Sequence, residues 1–308
     1  MWQVIHGDCL EVLPTLPESS VNCCITSPPY FGLRDYGCEG QIGLESSPDE
    51  FVAKMVAVFR EVRRVLREDG TLWLNLGDSY TGSANAGGEA TRTCESAPNA
   101  KDRNLPSKRG VGLKPKDLIG IPWRVAFALQ ADGWYLRQDI IWSKPNPMPE
   151  SVTDRCTKAH EYLFLLAKSG RYFWNQDAMR EKSVCAAGTA GSWDGNVDFR
   201  LPNGAPRFAK PNLGGSIDGN RNRRSVWTVP TQPFSEAHFA TFPPALIDPC
   251  VRVSCPVGGT VLDPFAGAGT TGLVASKHEC NFIGIELNAE YAAMARRRIG
   301  AEAAQGKL

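Results

Sequence analysis

No run of about 18 uninterrupted apolar residues occurs in the 308-residue sequence, so no segment reads as a membrane-spanning helix. The opening MWQVIHGDCLEVL carries neither a basic leader nor a signal-like apolar stretch, and the expectation is an unexported, cytoplasmic protein with no membrane partner. Cysteine pairing is equally absent. Ten thiols are scattered without C-x-x-C spacing, which excludes a disulfide scaffold and leaves zinc no visible ligand set, so no metal is expected. Cys23 and Cys24 lie in the apolar run VNCCI and Cys250 and Cys255 are expected to flank a turn, all as buried, reduced thiols. There is no internal repeat. An apolar share of 42% and a charged share of 22% exclude wholesale disorder and fibrous architecture, and the length suits one large domain or two modest ones.

Surplus charge is missing too, at a net +1, yet the charge is segregated. Residues 101–116 and 200–224 each carry six basic residues and one acid, leaving −9 on the rest. Basic, Gly/Pro/Asn-rich loops on an acidic body point to a local polyanion contact, with solvated loops as the plain alternative.

Short apolar runs alternate with helical patterns, the mark of an α/β protein with a largely parallel sheet. Strands are expected at Trp2 to Ile5, Val21 to Thr26, Thr71 to Leu76, Trp134 to Trp142, Tyr162 to Ala167, Thr260 to Leu262 and Phe282 to Ile285, seven in one doubly wound sheet. A helix is expected from about Asp49 to Arg67, with Phe51, Met55, Val58, Phe59, Val62 and Leu66 on one face and Gly70 past its end. Others start at Pro122 and, behind an Asn288 cap, run to Ile299. Trp123, Trp134 and Trp142 are expected in the core. Residues 80–117 and 174–225 break the rhythm with Gly, Ser, Asn and Pro, and loops of this length inside a domain are usually functional.

Two motifs carry chemistry. In DPFAGAGTTG, Asp263 to Gly272, the glycines Gly267, Gly269 and Gly272 follow a strand and precede a helix, formally a dinucleotide fingerprint. Asp263 at the strand tip would repel a pyrophosphate and attract an ammonium or sulfonium, and Glu286 at the end of the next strand could accept from ribose hydroxyls. In TSPPY, Thr26 to Tyr30, two prolines end a strand and stiffen its exit. Ser27 Oγ and the Pro28 carbonyl can then accept from an exocyclic amino group while Tyr30 stacks on its ring. On stacking alone, phenylalanine would serve at position 30 nearly as well.

Together these segments resemble the amino-group DNA methyltransferases that use S-adenosylmethionine, in the permuted β-class order where the catalytic SPPY precedes the cofactor loop. The resemblance runs through GDCLEVL, TSPPYFGLRDYG, GTLWLNLGDSY, DIIWSKPNPMPES, HEYLFLLAKS, HFATFPPALI and DPFAGAGTT, nearly the whole chain. It implies a Rossmann-like class I methyltransferase fold, circularly permuted, with 1–173 as catalytic part, 174–225 as target-recognition region and 226–308 as cofactor-binding part. The catalytic segment is then Ser27, Pro28, Pro29 and Tyr30. The cofactor would contact Asp8, Cys9, Phe242, Asp263, Phe265, Gly267, Gly269, Thr270, Thr271, Glu286 and Leu287. Where the family often has a Lys-Pro pair, this chain has Phe242-Pro243.

The resemblance further implies double-stranded DNA as substrate, a base flipped out of the duplex, and restriction-modification as setting, with a homodimer and a companion restriction endonuclease as expected partners. Arg34, Lys108, Arg109, Arg221, Arg223 and Arg224 are the expected DNA contacts, though Arg34 beside Asp35 also reads as a surface ion pair. Ser at the first motif position favours N4 of cytosine over N6 of adenine. Methylation of RNA or of another planar amine is the alternative.

Overall fold

The computed structural model describes residues 1–81, 112–182, 220–232 and 242–305. These divide into two compact units, Met1–Asn175 with Ser225–Leu308, and Gln176–Arg224. The large unit runs β1 (Trp2–His6), α1 (Cys9–Val12), β2 (Val21–Thr26), α2 (Pro48–Val65), β3 (Leu66–Leu76), α3 (Ile121–Ala131), β4 (Tyr135–Ser143) and β5 (His160–Ala167). In the small unit β6 (Arg180–Lys182) pairs antiparallel with β7 (Asn220–Asn222). The large unit resumes with β8 (Val226–Thr228), α4 (Pro244–Ser254), β9 (Thr260–Asp263), α5 (Thr270–Lys277), β10 (Asn281–Glu286) and α6 (Ala289–Gln305).

Its sheet has the order β1-β10-β9-β2-β3-β5-β4-β8, with β5 antiparallel to both neighbours and every other pair parallel. All seven expected strands are present, and the sheet has eight because Val226–Thr228 adds beside β4. Strands covered on both faces read as continuous apolar runs. In β3, alternate residues Leu72, Leu74 and Leu76 join the core formed with α2 and α3, while Trp73 points the other way and donates to Ser254 Oγ on α4 at 3.0 Å. Among the described residues no helix is long and apolar enough to cross a membrane.

Some local expectations are corrected. Helix α2, capped by Ser47 Oγ, stops at Val65, and Leu66 turns to φ −66°, ψ 140° and pairs with Val21. Gly70 thus lies inside β3, because burying Leu66 in the sheet outweighs one more helical residue. Cys250 sits inside α4 rather than beside a turn. Cys9, Cys23, Cys24, Cys250, Cys255 and Cys280 are buried, but Cys156 is exposed and Cys38 half-buried. Trp134 and Trp142 are core residues, whereas Trp123 is only half-buried.

Candidate active site

A cavity of about 300 Å³ opens where β1, β10, β9, β2 and β3 end, the edge at which open α/β sheets hold ligands. Each strand delivers a side chain to it: Asp8 after β1, Glu286 from β10, Asp263 from β9, Ser27 after β2 and Asn75 from β3. Since β5 runs the opposite way, its start brings Glu161 to the same edge, and β4 brings Lys144 just past its end.

On one side lies the glycine loop. Asp263, only 2% exposed, accepts from Thr26 Oγ1 and Thr271 Oγ1, both at 2.6 Å, and from the Phe265 N–H at 3.1 Å. Burial nevertheless lifts its carboxyl to about 6, the hydrogen bonds opposing that rise and the nearby Glu286 charge adding to it. Glu286 accepts from the Gly267 N–H at 2.7 Å through one oxygen and from the Asn288 N–H at 2.8 Å through the other. Burial pushes its carboxyl up as well. A carboxylate has about four lone-pair sites, so both oxygens of Glu286 can still accept from a ligand. Asp8 caps α1 by accepting from the Leu10 N–H at 2.8 Å, and burial pushes the adjacent Cys9 thiol up to about 12, an inert wall rather than a nucleophile.

Gly267 and Gly269 have φ of 50° and 80°, in the region that favours glycine. A β-carbon on Gly269 would stand 2.8 Å from Ala295, whereas on Gly267 nothing lies nearer than the Phe265 carbonyl at 4.0 Å. Gly267 therefore leaves backbone open toward the cavity, while Gly269 serves the packing of α5 on α6. Buried carboxylates, an open glycine backbone and acceptors for hydroxyls suit a cationic nucleoside, so this donor set fits S-adenosylmethionine.

On the other side Ser27, Pro28, Pro29 and Tyr30 line the wall with Asn75, Trp142, Lys144, Glu161 and Phe242. Tyr30 Oη lies 2.6 Å from Glu161 Oε2, 3.2 Å from Asn75 Oδ1 and 3.5 Å from Ser27 Oγ. Glu161 also pairs with Lys144, whose Nζ stands 4.2 Å from the centroid of the Trp142 ring. Gly77 backs the Tyr30 ring so closely that a β-carbon there would fall 2.5 Å from Cε2.

Of the expected cofactor contacts, Asp8, Cys9, Phe242, Asp263, Phe265, Gly267, Thr270, Glu286 and Leu287 line the cavity. Gly269 and Thr271 do not; Thr271 instead holds Asp263 from behind. Arg34 lines the cavity wall, and Asp35 accepts from the Gly37 N–H. Lys108 and Arg109 lie outside the described residues. Arg221, Arg223 and Arg224 belong to the small unit, where Arg221 and Arg224 flank Glu181, with Nε at 2.9 and 3.3 Å from Oε1, and the Arg223 N–H donates to the Met179 carbonyl.

Asn75, Gly77, Lys144 and Glu161 escape the motif reading. A signal for two of them exists, because Asn75 interrupts the apolar run LWLNL and Glu161 opens the apolar strand HEYLFLLA. A polar residue on a buried strand needs a partner. The segment 33–42 also joins the site through Leu33, Tyr36, Cys38 and Ile42, tied to the start of α6 where Asn288 Nδ2 meets Cys38 Sγ at 3.5 Å.

Known proteins resemble this chain throughout. The N6/N4 DNA methylase family model matches residues 21–297. The Type II methyltransferase M.XycI of Xanthomonas campestris pv. cyanopsidis is 49% identical over 96% of this chain and 87% of its own length. M.Cfr9I of Citrobacter freundii is 47% identical over 97% and 88%. Among solved structures, the cytosine-N4-specific PvuII DNA methyltransferase superposes with a TM-score of 0.64 at 19% identity, covering 96% of this chain and 86% of that one. The DNA modification methylase TTHA0409 of Thermus thermophilus, complexed with S-adenosyl-L-methionine, gives 0.60 at 24% identity, covering 98% and 95%.

Proposed function

Because this chain belongs to the N6/N4 DNA methylase family, and is thereby an S-adenosylmethionine-dependent DNA methyltransferase, we propose that it methylates N4 of a cytosine flipped out of duplex DNA. The observation that carries this is the opening of TSPPY and DPFAGAG onto one cavity. Bound S-adenosylmethionine supplies an electrophilic methyl group on a sulfonium; Asp8, Asp263, Phe265, Gly267 and Glu286 would hold it.

The chain's own residues handle the base. An exocyclic amine is a weak nucleophile because its lone pair is delocalised into the ring. Ser27 Oγ and the Pro28 carbonyl accept its two hydrogens, draw the nitrogen toward tetrahedral geometry and stabilise the charge it gains. Tyr30 offers its ring to the base, and flipping, which costs a few kcal/mol, is offset by that stacking and by phosphate contacts. No covalent intermediate is needed. The preference for cytosine follows from Ser27 at the first motif position and accords with the cytosine-N4-specific description of the PvuII enzyme, which shares the fold. The basic small unit Gln176–Arg224 is the candidate reader of the DNA sequence. The Type II names of the relatives favour a companion endonuclease.

Nucleosides from DNA methylated in vitro, separated by mass spectrometry, test the assignment. N4-methylcytosine is expected. Methyl on adenine N6 would replace cytosine as the target, and methyl on cytosine C5 would overturn the amine mechanism.

A further inference from the structure

Beside the cavity, four side chains form a hydrogen-bond chain whose direction is fixed. Glu161 uses both oxygens: Oε1 pairs with Lys144, while Oε2 accepts from Tyr30 Oη at 2.6 Å and from Asn75 Nδ2 at 3.2 Å. Asn75 spends its other amide hydrogen on the Tyr162 carbonyl at 3.1 Å. Tyr30 owns a single hydroxyl proton, and of its two acceptors the charged and nearer carboxylate outcompetes Asn75 Oδ1 at 3.2 Å. Burial first, and the Glu161 charge second, hold the phenol well above its ordinary pKa, so it keeps that proton. Its oxygen then has only lone pairs to offer, and Ser27 Oγ at 3.5 Å donates to it.

A serine hydroxyl has one hydrogen and two acceptor lone pairs. With the hydrogen turned to Tyr30, Ser27 faces the cavity as an acceptor. An amino group brings only hydrogens to that face, and a hydroxyl free to rotate could meet it donor to donor.

We infer that Glu161 is a positioning residue of the methyl-transfer site: acting through the Tyr30 hydroxyl, it fixes Ser27 as the acceptor for the amino group of the base. This rests on the amino-methylation proposed above. It makes the Tyr30 hydroxyl, and not the ring alone, necessary at that position.

The test is a double-mutant cycle between Tyr30→Phe and Glu161→Gln. Single-turnover methyl transfer is followed with tritiated S-adenosylmethionine and genomic DNA from a methyltransferase-deficient host, cofactor affinity by calorimetry. Each substitution is expected to slow transfer by about 10- to 100-fold while cofactor affinity holds, and the double variant to be no slower than either single one. A parent-like rate in Tyr30→Phe, or losses that multiply in the double variant, overturns the inference. Should Glu161→Gln fail to fold, Tyr30→Phe is combined with Ser27→Ala: the phenylalanine must then add nothing, and an undiminished further loss overturns the inference equally. The parent's product is identified first. A parent that methylates no amino nitrogen refutes the amino-methylation proposal; a correct product with a full rate in Tyr30→Phe refutes only the role of Glu161.

Discussion

Asp263 holds a charge where charge is costly, and its three internal donors offset only part of the cost. With its carboxyl at about 6, the cofactor-free protein carries the anion above that pH and the neutral acid below it. A cationic ligand favours the anion, so affinity for S-adenosylmethionine should fall as pH drops through about 6, and Asp263→Asn should flatten the dependence down to the share that belongs to Glu286. Calorimetry from about pH 5 to 8 reads this, and a constant affinity in the parent would count against a charge role for Asp263. Gly77 makes a second prediction. A methyl group there must displace the Tyr30 ring, so Gly77→Ala should cut methyl transfer by at least about tenfold with cofactor affinity kept; equal activity would mean that the ring's seat is not critical. At this scale the motif residues are legible in the sequence because their chemistry is concentrated in contiguous segments. Asn75, Gly77, Lys144 and Glu161 are single residues on separate strands, and only the antiparallel course of β5 brings Glu161 to Tyr30.

Elements are legible where they are long and apolar. All seven expected strands are present, but Val226–Thr228 has three residues, too few for a period-2 pattern to stand out. What holds it is tertiary: it pairs with β4 and buries Trp227 at 6.3 Å from the Trp73 ring. The boundary between α2 and β3 escapes the pattern for a related reason, since Leu66 fits the helical stripe and the strand equally well and the pairing with Val21 decides. Between layers, the bond from Trp73 to Ser254 ties β3 to α4 in a dry setting. Ser254→Ala leaves the indole N–H unpaired and should cost about 1–3 kcal/mol, seen as a lower midpoint in thermal or urea unfolding. An unchanged midpoint would show that the indole finds another acceptor.

For the molecule as a whole, the small unit carries the arginine cluster and the large unit the cavity. Neutralising Arg221, Arg223 and Arg224 together should weaken DNA binding and flatten its salt dependence by about one unit of logarithmic slope for each phosphate no longer neutralised. No change in affinity, slope or sequence preference would leave them as partners of Glu181 alone. The order of strands has a further consequence, for synthesis. Among the described strands β1 has β10 as its single neighbour, so residues 2–6 leave the ribosome first and wait for residues 282–286 before they can join the sheet. Between them the chain delivers the SPPY segment, and only near the end the glycine loop and Glu286. A nascent or stalled chain thus owns the residues that receive a base well before it owns those that hold a methyl donor. Competence to modify DNA arrives with the last strand made, as a property of the finished chain.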